Sequence, residues 1–142
     1  MARFMMIVKA SEESEAGALP TKEMIAEMSA YNDRLLEAGA LLAADGLWAS
    51  AEGARVTFSD GRPVVTDGPF AGAKDLVAGF WVIRAEDRDE ALDWARRVPF
   101  RDGEIEVRRI FEPSDFPPDV LSPEDAAREE ALRDELQGKG RA

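Results

Sequence analysis

The stretch Val56-Thr57-Phe58-Ser59-Asp60-Gly61-Arg62-Pro63-Val64-Val65-Thr66-Asp67-Gly68-Pro69-Phe70 carries two turns in fifteen residues, and their reading decides the fold. Asp60-Gly61 between two β-forming runs is the signal for a type I′ hairpin, because both central residues of that turn need positive φ. The second turn, Asp67-Gly68-Pro69-Phe70, leads through Ala71-Gly72-Ala73-Lys74 into a new apolar run. Read as a turn, Asp67 bonds its own backbone, Gly68 supplies positive φ, Pro69 fixes the next φ and Phe70 tucks into the core.

Working outward, Leu76 to Arg84 is nearly continuous in apolar residues, as expected of a strand in the middle of a sheet. Asp87 followed by Glu90 is a capping box, and Ala91, Trp94, Ala95 and Val98 give the helix it opens one buried face. Glu104 to Phe111 alternates as a final strand, with Ile105 and Val107 on one face and Glu106 and Arg108 on the other. Upstream, Arg3 to Lys9 reads as the first strand and Ser11 to Leu19 as a loose acidic segment. Pro20-Thr21 opens a helix whose Met24, Ile25, Met28, Tyr31, Leu35 and Leu36 recur at helical spacing, with Met24, Met28 and Tyr31 assigned to the core and Gly39 ending it. Ala40 to Trp48 is the second strand, broken near Asp45-Gly46. The order strand, helix, strand, hairpin, strand, helix, strand is a ferredoxin-like α+β pattern with the hairpin added. Two helices cover one face of such a sheet; the other is left apolar, which predicts a homodimer.

Several of these segments occur together in one known family. Arg3-Phe4-Met5-Met6-Ile7-Val8, Ala44-Asp45-Gly46-Leu47, the Asp67-Gly68-Pro69-Phe70 turn with Lys74 and Leu76 to Ile83 behind it, and Ile105-Glu106-Val107-Arg108 resemble the YCII-related proteins of the DGPF type. The resemblance covers roughly residues 1 to 112. It implies a dimeric α+β barrel, in which two sheets pack face to face. It also implies three classes of role: small-molecule binding, cofactor-independent isomerase, lyase or monooxygenase chemistry, and regulation alongside an extracytoplasmic-function sigma factor. Some members carry a His paired with an Asp that is proposed as catalytic; that pair does not transfer to a chain without histidine.

The domain is therefore expected over residues 1–112, with a separate extension over 113–142. Pro113, Pro117 and Pro118 mark a linker, and Ser122-Pro123-Glu124-Asp125 caps a last helix with Glu124–Arg128 and Glu129–Arg133 pairs at i,i+4. Nine acidic and four basic residues from Glu112 to Ala142 make this tail strongly negative.

At 142 residues, one core suffices, and folding buries roughly two thirds of the unfolded surface. The formal net charge of -11 argues against nucleic acid and against an anionic membrane, since both require a Lys/Arg surface. No apolar run reaches the length of a bilayer span and no signal peptide is recognisable, so the cytoplasm is the expected location. With neither Cys nor His, the chain has no disulfide, no zinc site of the usual kind and no imidazole-activated nucleophile. The acidic run Glu86 to Glu90 lacks the glycine and spaced ligands of a calcium loop, so no metal is expected, and no nucleotide motif points to a cofactor.

The candidate ligand-binding residues are Asp67, Lys74, Trp81, Glu106 and Arg108. Arg108 and Lys74 are placed to hold an anionic or carbonyl oxygen, and Asp67 or Glu106, with a raised pKa, to act as a base. Trp81 and Phe80 alternate, so one lines the cavity and the other is core; Trp48 is a weaker candidate for the lining. A plain ion-pair cluster at the sheet edge accounts for the same charges. The substrate, and whether any reaction is catalysed, are open at this stage.

Overall fold

β5 (Val77–Ala85) alternates along its length, with Gly79, Trp81, Ile83 and Ala85 buried and Ala78, Phe80, Val82 and Arg84 half-buried on the other side. That period of two places β5 in the middle of a sheet whose faces differ. The computed structural model describes residues 1–139 and sets β1 (Ala2–Lys9) and β2 (Leu41–Gly46) on either side of it. β6 (Ile105–Arg109) lies beyond β1, giving the order β2-β5-β1-β6 with every pair antiparallel. α2 (Lys22–Glu37) connects β1 to β2 and α3 (Arg88–Arg96) connects β5 to β6. This is the expected ferredoxin-like α+β arrangement.

Both helices pack on the same side. Tyr31 and Leu35 of α2 and Ala91 and Trp94 of α3 share one buried cluster with Phe4 and Met6 of β1 and Trp81 and Ile83 of β5. Tyr31 ties these layers together. Its ring meets Trp81 edge-on at 5.5 Å and Trp94 at 6.3 Å, and its hydroxyl donates to the Trp94 carbonyl at 2.7 Å. On the opposite face, Met5 and Ile7 of β1 and Phe80 and Val82 of β5 form an apolar strip that lies outside the buried cluster.

The caps follow the sequence closely. Thr21 accepts from Met24 N–H at 3.2 Å and Asp87 from Glu90 N–H at 2.9 Å. Glu90 turns back to the Glu86 N–H rather than to its own N-cap. The segment expected to be loose holds a one-turn helix, α1 (Glu12–Glu15), because Ser11 and Ser14 cap each other through backbone N–H and hydroxyl.

The hairpin is β3 (Ala54–Ser59) and β4 (Arg62–Asp67), with φ of 50° at Asp60 and 74° at Gly61. Among the described residues its strands pair only with each other. Three expectations fail around the second turn. Gly68 is not at positive φ; a Cβ there would stand 1.8 Å from the Ser50 carbonyl oxygen, so glycine is required by close approach of two backbones. The Asp67 carboxylate is exposed and makes no hydrogen bond among the described residues. Phe70 is half-buried beneath the Arg55 guanidinium, 3.9 Å from its ring centroid, rather than in the core.

α4 (Pro123–Lys139) forms the C-terminal extension, capped by Ser122, whose hydroxyl accepts from Asp125 N–H. Of the expected 113–142 extension, residues 140–142 lie outside the described residues. The expected i,i+4 pairs are replaced. Arg128 bonds Asp125, and Arg133 reaches out of the helix to Glu112, which also takes Arg3 Nε at 2.7 Å. One carboxylate thus joins α4 to β1.

Candidate functional site

The five candidate residues are spread over the molecule. Arg108 Nη1 donates to Glu106 Oε2 at 3.1 Å, and Lys9 Nζ stands 3.5 Å from Glu106 Oε1, making a small cluster on the sheet face away from the helices. The Arg108 hydrogen bond, then the Lys9 charge, hold the Glu106 carboxyl below its ordinary pKa. That is opposite to the direction a base at neutral pH requires, so the expectation for Glu106 is corrected. Asp67 ends β4, and Lys74 sits exposed in the short turn Ala73–Asp75 with no ion-pair partner among the described residues. Trp81 is on the helix side of the sheet, across from the Glu106–Arg108 pair.

A cleft of about 630 Å³ opens on that helix side, between the N-terminal half of α2 and the ends of β2 and β5. Its origin is legible in residue size. Under this part of α2 the strands turn Ala44, Gly46 and Gly79 towards the helix, none with a side chain long enough to reach it. A Cβ on Gly79 would lie 3.0 Å from the Asp45 carbonyl oxygen, so the two strands approach closely there. Met24, assigned to the core, and its neighbour Ile25 are 49% and 56% exposed and wall the cleft instead. Trp81 and Phe100 close its inner end, with ring centroids 6.4 Å apart, and Leu47 and Trp48 stand at its mouth.

One polar group is oriented at the inner end. Trp81 Nε1 donates to Asn32 Oδ1 at 2.8 Å. An indole N–H can only donate, so this bond fixes the amide with its oxygen toward Trp81 and its NH2 turned away. The Asn32 Nδ2 has no partner among the described residues and is not a buried orphan, so two N–H donors are available in a cleft whose other lining is mainly apolar, with Ser14, Ser29 and Asp45 as its further polar residues.

The rim is fixed by a second polar arrangement. The Glu15 carboxylate accepts Ser50 N–H at 2.9 Å and the Ser50 hydroxyl at 2.5 Å, while Ser50 Oγ accepts Phe70 N–H at 3.0 Å. These bonds, the Ser50 side chain's first, lower the Glu15 pKa. The turn Asp67–Phe70 is therefore a docking element: it presses Gly68 onto Ser50, and Ser50 is held by the segment that borders the cleft through Ser14 and Leu19. Asn32, Glu15 and Ser50 are the residues sequence reasoning missed. No local signal marks them, since each acts through partners 20 to 49 positions away.

The family model of the YCII-related domain matches residues 2–114. The chain belongs to the YCII-related family. An uncharacterised protein of Rhizobium meliloti (strain 1021) is 32% identical over 115 residues, covering 75% of this chain and 93% of that one. Among solved structures, 5-chloro-2-hydroxyhydroquinone dehydrochlorinase from Burkholderia phenoliruptrix AC1100, in complex with 2,5-dihydroxybenzoquinone, aligns with a TM-score of 0.45 and 17% identity, covering 81% of this chain and 99% of that one. Among the described residues of this YCII-related chain, no helix is long and apolar enough to cross a membrane.

Proposed function

We propose that this YCII-related protein binds a small, largely apolar molecule bearing a carbonyl or anionic oxygen in the α2 cleft. The observation that carries this reading is the Asn32 amide, oriented by Trp81 and left with unspent donors among mainly apolar walls. Ligand pockets of this size have such a composition, with apolar lining for affinity and a few fixed polar groups for orientation. A planar ligand fits between Met24 and Ile25 on one side and Trp81 and Phe100 on the other. The protein acts in this reading as a cytoplasmic homodimer whose interface includes Met5, Ile7, Phe80 and Val82.

The open-face cluster is a second place for an anion, because Lys9 and Arg108 outnumber Glu106 by one charge. Both sites call for small oxyanions and carbonyls, so the test must separate them. A thermal-shift panel of phenols, aromatic carboxylates and lactones is screened against the wild type and Asn32→Asp, since a ligand of the native state raises the melting temperature. Asp keeps an acceptor for Trp81 Nε1 but replaces the NH2 with oxygen. The expected result is that shifts by oxygen-bearing ligands disappear in Asn32→Asp while its own melting temperature stays close to wild type. Equal shifts in both proteins would overturn the cleft reading.

A further inference from the structure

The oriented amide of the cleft and its most exposed apolar residues are at opposite ends. Asn32 presents its donors at the inner end, beside Trp81. Met24 and Asn32, eight positions apart on α2, are separated by ~12 Å along the helix axis. Leu19, Leu47 and Trp48 continue the lining out to the mouth, and Leu19 and Trp48 are each 75% exposed. Single exposed apolar residues are ordinary on a surface, but a group of them rimming a cleft extends its binding surface outward. The mouth is built on anchored backbone. Leu47 N–H donates to the Ala78 carbonyl at 2.8 Å and Ser50 is held by Glu15, so Trp48 is carried between two fixed residues.

Charge narrows the head group that Asn32 can receive. Among the described residues lining the cleft none is Lys or Arg, and the one charged side chain belongs to an acid, Asp45. The positive end of the α2 dipole does not help at Asn32, because that field fades within the first turn. An anion brought to the amide would lose its hydration with no cation to meet it, which is costly. A neutral carbonyl needs only the N–H donors that the amide offers. Size narrows the rest of the ligand. The cavity of about 630 Å³ is in the range of pockets that bury ligands of drug size, roughly 300–1,000 Å³. A single ring with its carbonyl covers only part of the span from Asn32 to the mouth.

The geometry points to an elongated, uncharged ligand for this cleft: a neutral carbonyl head that accepts from Asn32 Nδ2, and an apolar body that runs out along α2 and is covered at its far end by Leu19 and Trp48. This names the ligand class of the proposed site and rests on that reading. Anionic heads are left to the Lys9–Arg108 face.

Isothermal titration calorimetry on the whole chain tests it with methyl benzoate and its para-ethyl, para-butyl and para-hexyl derivatives, each paired with the free benzoate. The esters are expected to tighten about threefold for each added CH2, the gain for burying that group, and to bind more tightly than the matching carboxylates. Trp48→Ala, a surface substitution, should flatten the dependence on chain length, and Asn32→Asp should weaken every ester. Ester affinities that do not change with chain length, or whose rise persists in Trp48→Ala, overturn the apolar body reaching the mouth. A carboxylate that binds as tightly as its ester and loses that binding in Asn32→Asp overturns the uncharged head. If no ester binds while other ligands still require Asn32, this inference falls and the cleft reading stands. If no ligand requires Asn32, both fall.

Discussion

The Glu15 carboxylate accepts both the N–H and the O–H of Ser50, so one side chain from the β1–α2 connection holds the residue on which the Asp67–Phe70 turn rests. Glu15 is half-buried in a connection outside the core, so the consequence to look for is local order rather than global stability. Its pKa lies below the ordinary 4.5, so the stabilising contribution is complete above that pH and is lost as pH falls through the lowered folded value. Hydrogen exchange at the Ser50 and Phe70 amides is expected to accelerate through that acid step in the wild type. In Glu15→Gln it should be fast at neutral pH already, with no step. Matching exchange profiles in the two proteins would show that the carboxylate does not hold the rim.

Gly68 and Asp67 are neighbours in sequence but answer to different forces. A Cβ at Gly68 would lie 1.8 Å from the Ser50 oxygen and 2.7 Å from its carbonyl carbon, both backbone atoms that cannot swing aside. Gly68→Ala should therefore cost about 1–3 kcal/mol, the range for forced overpacking. The Asp67 side chain is exposed and makes no hydrogen bond among the described residues, so Asp67→Asn should change stability by less than about 0.5 kcal/mol. Urea unfolding of both variants checks the pair. The prediction fails if Gly68→Ala is neutral or if Asp67→Asn is the costlier change.

Tyr31 is the only tyrosine in the chain, which makes its ionisation directly visible. Burial pushes its pKa up to about 12, outweighing the nearby Arg97 and Arg34 charges that favour the phenolate. A raised folded value means stability is complete below pH 10 and declines as pH rises from 10 towards 12. Tyrosinate absorbance should rise late and together with the loss of Trp fluorescence structure. A phenol that titrates near 10 in the folded protein would contradict its burial. Tyr31→Phe should cost only about 0.5–1.5 kcal/mol, because the Trp94 carbonyl keeps the Arg97 N–H at 3.2 Å after the hydroxyl is gone.

The fold was readable because its signals are local. Asp60-Gly61, the Thr21 and Asp87 caps and the alternation of β5 each lie within a few residues of what they specify. The cleft was not readable for the opposite reason. Met24 and Ile25 have the spacing of core residues, and only the small residues on β2 and β5, distant in sequence, leave them facing a void. Gly68 was legible as a required glycine but not for its actual cause, since the Ser50 backbone that excludes a side chain belongs to another loop. Likewise Glu106 and Arg108 were legible as sharing a face, whereas Lys9, which joins them across β1, was not.

That three-residue cluster gives the last prediction. Glu106 lies between Arg108 and Lys9, and the Arg108 hydrogen bond is the larger cause of its lowered pKa. Arg108→Met keeps most of the side-chain length and removes the donors, so the Glu106 carboxyl should titrate higher, with Lys9 still holding it partly down. Arg108 is 69% exposed, so thermal stability should hardly change. Carboxyl NMR titration reads the first effect, and a melting curve with and without a small oxyanion reads a second. If the open face holds anions, the shift seen in the wild type vanishes in Arg108→Met while Asn32→Asp retains it. If the shift survives in Arg108→Met, the arginine serves only as the partner of Glu106 and takes no part in anion binding.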